Sequence, residues 1–146
     1  MPKLIKDKQL VNDRWVLVKE ASNEGILSAL PYRSIIVPLR FWKMYQDEIG
    51  EYTGEVTIWL DSNETPADIP GDIHQFPLIG LNFPIFSDGR SYSNARELRE
   101  FYGYKGEVRA IGDVLRDQLY YMKRSGFDTF SLRHDQDPEV CLHAFD

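Results

Sequence analysis

Short apolar runs alternate with polar stretches broken by Gly and Pro along this chain of 146 residues. Residues 3–19 predict a small hairpin. Leu4 and Ile5 precede a Lys-Asp-Lys turn, and residues 14–18 (RWVLV) have the β-branched and aromatic character of a strand. Residues 20–34 read as a polar connection. The run SIIVPL is a short apolar strand ending at Pro38, although Pro38 also suits the first turn of a helix, because Phe41, Trp42, Tyr45 and Ile49 recur at helical spacing and Gly50 suits the exit.

From there a rhythm sets in. Residues 55–61 form an apolar strand, residues 62–76 a polar stretch that holds at best a short helix, and residues 77–83 a second strand. A loop and helix follow over 86–102, a third strand over 106–112, a helix over 113–125 stopped by Gly126, and a fourth strand over 127–132. The tail starts another helix, with Asp137 as cap and Pro138 in its first turn. Continuous apolar strands alternating with helices imply a parallel sheet covered by helices. The predicted fold is α/β, one domain over residues 1–146. Residues 1–34 supply an N-terminal β-hairpin and connection. Residues 35–146 supply a mainly parallel sheet of about four βα units, open or half-barrel-like.

The helix faces separate packing from surface. Tyr92, Ala95, Leu98 and Tyr102 form the inward stripe of the first clear helix, with Ser91 as its N-cap and Gly103 as its end. In the next, Asp113 is the expected cap and Leu115, Leu119 and Met122 the stripe, with Gln118 at its flank. Asp113, Arg116, Asp117 and Tyr120 line another face.

Charge changes the picture locally. The net charge is −6, which disfavours nucleic acid and anionic membranes as partners. Residues 86–124 nevertheless carry 8 basic and 6 acidic groups, the only net-positive segment. A single cysteine, Cys141, excludes an intrachain disulfide and a metal site built from several thiolates, and it fits a reducing cytoplasm. No apolar run approaches the ~20 residues of a membrane span and no signal-peptide core is present, so a soluble cytoplasmic protein is expected.

Ligands in parallel α/β sheets bind outside the carboxyl ends of the strands. That rule selects Asp61, Ser62 and Asn63, then residues 82–93, then Asp113, Arg116 and Asp117, and finally Arg133, His134 and Asp135. Within the loop SDGRSYS, Gly89 lets the backbone turn towards a ligand, and Arg90 with two hydroxyls adds charge and hydrogen bonds. Equally, Asp-Gly is a common turn and Ser91 an ordinary cap. Arg109 lies inside an apolar strand and needs a carboxylate or ligand partner; Asp88, Asp113 and Glu107 are the candidates. Asp88, Asp113 and Asp117 are the candidate acid–base groups. The ligand-binding candidates are Asp88, Gly89, Arg90, Arg109, Asp113 and Gln118. His74, His134 and His143 are scattered, so no metal is expected. No P-loop, GxGxxG fingerprint or G-x-S-x-G elbow is present, and no cofactor, flavin or nicotinamide included, is expected.

The stretch FPIFSDGRSYSNARELREFYGYKGEVRAIGDVLRDQLYYMKRSGFDTF, residues 83–130, resembles the bacterial domain of unknown function 934 family. The resemblance rests on F-x-D-G-R around Asp88 and Arg90, an Arg-containing helix with Arg96 and Arg99, the run G-E-x-R-A-x-G-D-V-x-x-D-Q from Gly106 to Gln118, and the Gly-Phe-Asp ending at Asp128. It extends more weakly over LPYRSIIVPLRFW and GEVTIWLDSNETP. Family members often carry Cys where this chain has Ser125, which argues against an essential thiol there. The resemblance implies a bacterial protein whose gene sits near those for sulfite reductase and sulfate assimilation, and it carries over no activity. The oxidoreductase label sometimes attached to such proteins rests on gene neighbourhood.

The leading functional expectation is an accessory protein of assimilatory sulfur (sulfite or sulfate) metabolism. It would bind a small anion, or a partner such as sulfite reductase, through the basic loop–helix face. The alternative is an enzyme using Asp88, Asp113 or Asp117 with nearby arginines at the carboxyl end of the sheet, with homo-oligomerisation able to complete a pocket.

Overall fold

The computed structural model describes residues 3–145. The chain opens with strands β1 (Lys3–Lys6) and β2 (Gln9–Asn12), paired antiparallel with Lys6 opposite Gln9. Asp7 and Lys8 both take positive φ, 51° and 66°, the backbone of a tight two-residue hairpin loop. The turn falls where the Lys-Asp-Lys signal put it, but the returning strand is Gln9–Asn12 rather than RWVLV. So tight a turn pairs the residues beside it, which frees Trp15–Leu17 (β3) for another neighbour.

Helix α1 (Gly25–Ala29) lies in the connection to β4 (Ser34–Pro38). Pro38 ends that strand and stands at the N-cap of α2 (Leu39–Met44), so both of its sequence signals are used; α3 (Gln46–Gly50) follows. Next come β5 (Val56–Leu60), two 3-10 turns, β6 (Leu78–Phe83), α4 (Arg90–Arg96) running into a π-helical turn Glu97–Phe101, and β7 (Glu107–Gly112). A 3-10 turn Arg116–Gln118, α5 (Leu119–Ser125), β8 (Thr129–Phe130) and α6 (Pro138–Cys141) complete the order, and Asp137 caps α6 by accepting from the Glu139 amide.

The strands form one eight-stranded sheet in the order β2-β1-β8-β7-β6-β5-β4-β3. From β3 to β8 neighbours are parallel; β1 is antiparallel to both β2 and β8. The molecule is thus a single α/β domain with a mixed sheet of eight strands, where about four βα units in a mainly parallel sheet were expected.

Curling of the sheet follows from one short link. A flat sheet of eight strands would separate its edges by roughly 34 Å. Here the edge strands β2 and β3 are joined by Asp13 and Arg14 alone, and the three Cα steps involved reach at most about 11 Å. The sheet therefore bends into an open half-barrel. Its two faces follow the period-2 alternation of each strand. Ile35, Val37, Ile58, Leu60, Ile79, Leu81, Val108 and Ala110 face the main core under the helices. Trp15, Ile36, Trp59, Leu78 and Ile111 form a second cluster on the concave face. Gly80 makes that cluster possible: a Cβ there would lie 3.0 Å from the Trp59 Cβ.

Candidate ligand site at the mouth of the half-barrel

Because β3 to β8 run parallel, the segments leaving their carboxyl ends gather on one rim. The loop–helix around Arg90 lies on it. The Arg90 guanidinium donates to both carboxylate oxygens of Asp88 (3.1 and 2.7 Å) and to Ser62 Oγ (2.8 Å), and the Arg90 amide also donates to Asp88 (3.0 Å). These bonds from the Arg90 side chain, then its backbone, hold the Asp88 carboxyl well below the usual carboxylate range. Gly89 has φ −90°, which any residue adopts, and a Cβ there would meet only the Tyr92 ring at 4.0 Å.

Asp113 holds the rim together. One oxygen accepts from the Phe86 amide (2.7 Å) and the other from Arg133 (2.8 Å), whose remaining donors reach Asp135 (2.7 and 2.8 Å). The Arg133 hydrogen bonds pull the Asp135 carboxyl down to about 2, and bonds from Asp135 and then Asp113 push Arg133 up.

Two expected caps have other roles. Helix α4 begins at Arg90, so Ser91 falls inside its first turn, and its buried hydroxyl donates to the Asn82 carbonyl (2.7 Å). Helix α5 begins at Leu119, too late for Asp113 to cap it.

The other sequence candidates lie elsewhere. Arg109 points into the concave face, donating to Glu107 Oε2 (2.8 Å) and Asp13 Oδ1 (3.0 Å) while Lys6 pairs with the other Glu107 oxygen (3.0 Å). Of its three candidate partners only Glu107 is used. Asp13 is brought by the short link, whose tertiary position the sequence did not reveal. Asp117 is exposed; Gln118 is half-buried, with its Oε1 buried and lacking a hydrogen-bond partner. Arg99 donates to the carbonyls of Gly126, Tyr104 and Gly106 (2.9, 2.8 and 2.7 Å) and ties the end of α5 to the start of β7. Arg96 bonds the Tyr121 hydroxyl.

A two-lobed cleft occupies the mouth. One lobe, about 400 Å³, is lined by Leu17, Trp59, Phe83, Pro84 and Ile111, with Asn82, Asp113 and Arg133 at its edge. The other, about 350 Å³, lies among Pro38, Arg40, Asp61, Asn63 and Glu64. Lys19, Glu20 and Trp59 border both. Residues leaving β3 to β8 all contribute, so a single chain builds the cleft. Of the residues that the strand-end rule selects, Asp61, Asn63, Asn82, Phe83, Pro84, Asp113 and Arg133 line it; of the narrower set of acid–base and ligand-binding candidates, only Asp113 does. Trp59, Lys19, Glu20 and Arg40 were missed. Trp59 was readable, since alternation through TIWLD puts it on the face of Asp61. Lys19 and Glu20 were hidden by the placing of RWVLV in the hairpin. Among the described residues no group of three or more His, Cys, Asp or Glu is placed to hold a metal ion, and no helix is long and apolar enough to cross a membrane.

The depressed carboxylates set an acid limit. Depressed Asp88 and Asp135 contribute stability that is present above about pH 4, the ordinary carboxylate value. It is lost as pH falls through their folded values, about 2 for Asp135. Melting temperature should therefore fall from pH 5 to pH 2, and the slope should be shallower in the Asp88→Asn/Asp135→Asn variant. Identical slopes in thermal melts would contradict this account.

Residues 57–146 match the family described as "Bacterial protein of unknown function (DUF934)". No curated protein and no solved structure matches the chain.

Proposed function

The chain belongs to this bacterial family of unknown function, and from that premise we propose that it is a ligand-binding accessory protein of sulfur metabolism whose ligand sits at the mouth of the half-barrel. The sulfur setting comes from the resemblance described above. The site rests on one observation: a cleft with an apolar floor and a charged rim at the carboxyl ends of parallel strands, the place where such sheets hold ligands. Arg90 is the weaker centre, because Asp88 already occupies its guanidinium. An enzyme built on Asp88, Arg90, Arg109, Asp113 and Asp117 together finds no support in a geometry that spreads them over separate surroundings.

The indole N–H resonances of Trp15, Trp42 and Trp59 test this reading, with Trp59 identified by its absence in Trp59→Phe. Sulfite, sulfate and a small fragment library are the probes. At least one is expected to shift the Trp59 signal, with a weaker response in Arg133→Ala. No probe moving Trp59 would remove the cleft as a binding site.

A partner reading has its own observation. Ile85 and Phe86, on the loop beside the mouth, are 52% and 47% exposed. If that loop docks on sulfite reductase or another sulfur-pathway protein, an Ile85→Ser/Phe86→Ser variant should lose a partner that the unmodified chain captures from cells grown on sulfate. Equal recovery by both chains would sink this version.

A further inference from the structure

Building on the mouth as a ligand site, we infer that the ligand is a zwitterion, an α-amino acid with an apolar side chain. The two lobes differ in chemistry. The lobe on the Ile111 side has an apolar floor of Leu17, Phe83 and Ile111, and the lobe on the Arg40 side is lined mainly by charged and amide side chains. Trp59 is the wall they share, with Lys19 and Glu20 bordering both.

The charges of the polar lobe are unusual in being left over. Arg90 and Arg133, on the same rim, are held by Asp88, Asp113 and Asp135. Lys19, Glu20 and Arg40 form no ion pair among the described residues. Asp61 and Glu64 accept their hydrogen bonds from amides, Asn82 Nδ2 donating to Asp61 (3.1 Å) and the Asp61 amide to Glu64 (2.8 Å), while Arg90 attracts Asp61 only through space. The lobe thus offers two cations, Lys19 and Arg40, beside three carboxylates, Glu20, Asp61 and Glu64, and no salt bridge joins them.

A simple anion entering there would gain Lys19 and Arg40 but face three carboxylates, and a simple cation would face the two cations. A molecule carrying a carboxylate and an ammonium on one carbon answers both. Arg40 and Lys19 suit the carboxylate, and an ammonium has three donors for the acidic side chains. A lobe of about 350 Å³ takes a group of that size, and the side chain then passes Trp59 into the apolar lobe of about 400 Å³.

Calorimetry on the full chain tests this with L-leucine and L-methionine. N-acetyl-L-leucine lacks the ammonium, L-leucinamide lacks the carboxylate, and glycine lacks the side chain. One of the two amino acids is expected to bind, with each cut-down probe weaker by roughly ten-fold or more. Arg40→Gln should weaken the amino acid but not leucinamide; Arg40 is exposed and forms no ion pair among the described residues, so the variant should fold, as circular dichroism would verify. Leucinamide or N-acetyl-leucine binding as tightly as leucine would overturn the inference. So would failure of both amino acids while another probe shifts the Trp59 indole, an outcome that leaves the cleft standing. A Trp59 signal unmoved by every probe would overturn the cleft as well.

Discussion

Replacing Arg109 with Met should cost about 3–5 kcal/mol of stability, the usual effect of removing one partner from a buried ion pair. The guanidinium side chain is 5% exposed, and its partners Glu107 and Asp13 are 10% and 14% exposed. Without it, among the described residues, Asp13 keeps only the Trp15 amide as a donor (2.9 Å), and Glu107 keeps only Lys6. Two carboxylates would then sit in the concave face with half of their former partners. The loss should appear in urea unfolding followed by tryptophan fluorescence as a lower midpoint. Adding Asp13→Asn should recover part of it, because the amide oxygen can still accept from Trp15 while the stranded charge is gone. A midpoint unchanged in Arg109→Met would mean that water, not Arg109, satisfies those carboxylates. The network also staples the link between β2 and β3 to β7, so the variant should make that link easier to cut in limited proteolysis.

The second large effect is expected at Gly112, where β7 turns into the rim. Its φ is +90°, and a Cβ would lie 2.5 Å from the Phe83 carbonyl oxygen and 2.3 Å from Asn82 Oδ1. The carbonyl also accepts from the Asp113 amide (2.8 Å), so it cannot simply move aside. Gly112→Ala should therefore cost on the order of 3 kcal/mol from backbone strain and overpacking combined, or about 10 °C in melting temperature. It should also displace the Asn82 side chain, which donates to Asp61, and so disturb the mouth. Gly89→Ala is the contrast: with ordinary backbone and open space, it should stay within about 0.5 kcal/mol of the parent. Equal melting temperatures for the two variants would show that the strand end is looser than its geometry implies.

Much of the architecture was legible because it is local. The short continuous apolar runs in EVTIWLD, PLIGLNF and GEVRAIG found β5, β6 and β7, and Asp137-Pro138 marked the start of α6. The tight turn at Asp7 and Lys8 was also found, but not which run returned from it. QLVN and RWVLV both have strand character, and only the pairing partner decides between them. The error mattered, because it moved Lys19 and Glu20 away from the strand ends that make the site.

The polar residues divide in the same way. Arg90 and Asp88 are two positions apart, and their pairing is a local event. Arg109 with Asp13, Arg133 with Asp113, and the meeting of Lys19, Arg40 and Trp59 span between 19 and 96 positions of sequence. By itself the sequence determined most of the strands, most of the helices and the inward stripes of the two helices that follow β6 and β7, since these depend on neighbours within a few residues. Tertiary structure alone decided the curl of the sheet, the partners of the buried charges and the place of the cleft. These depend on which strand edges meet, and a two-residue link pulling two distant edges together leaves no periodic trace in the chain.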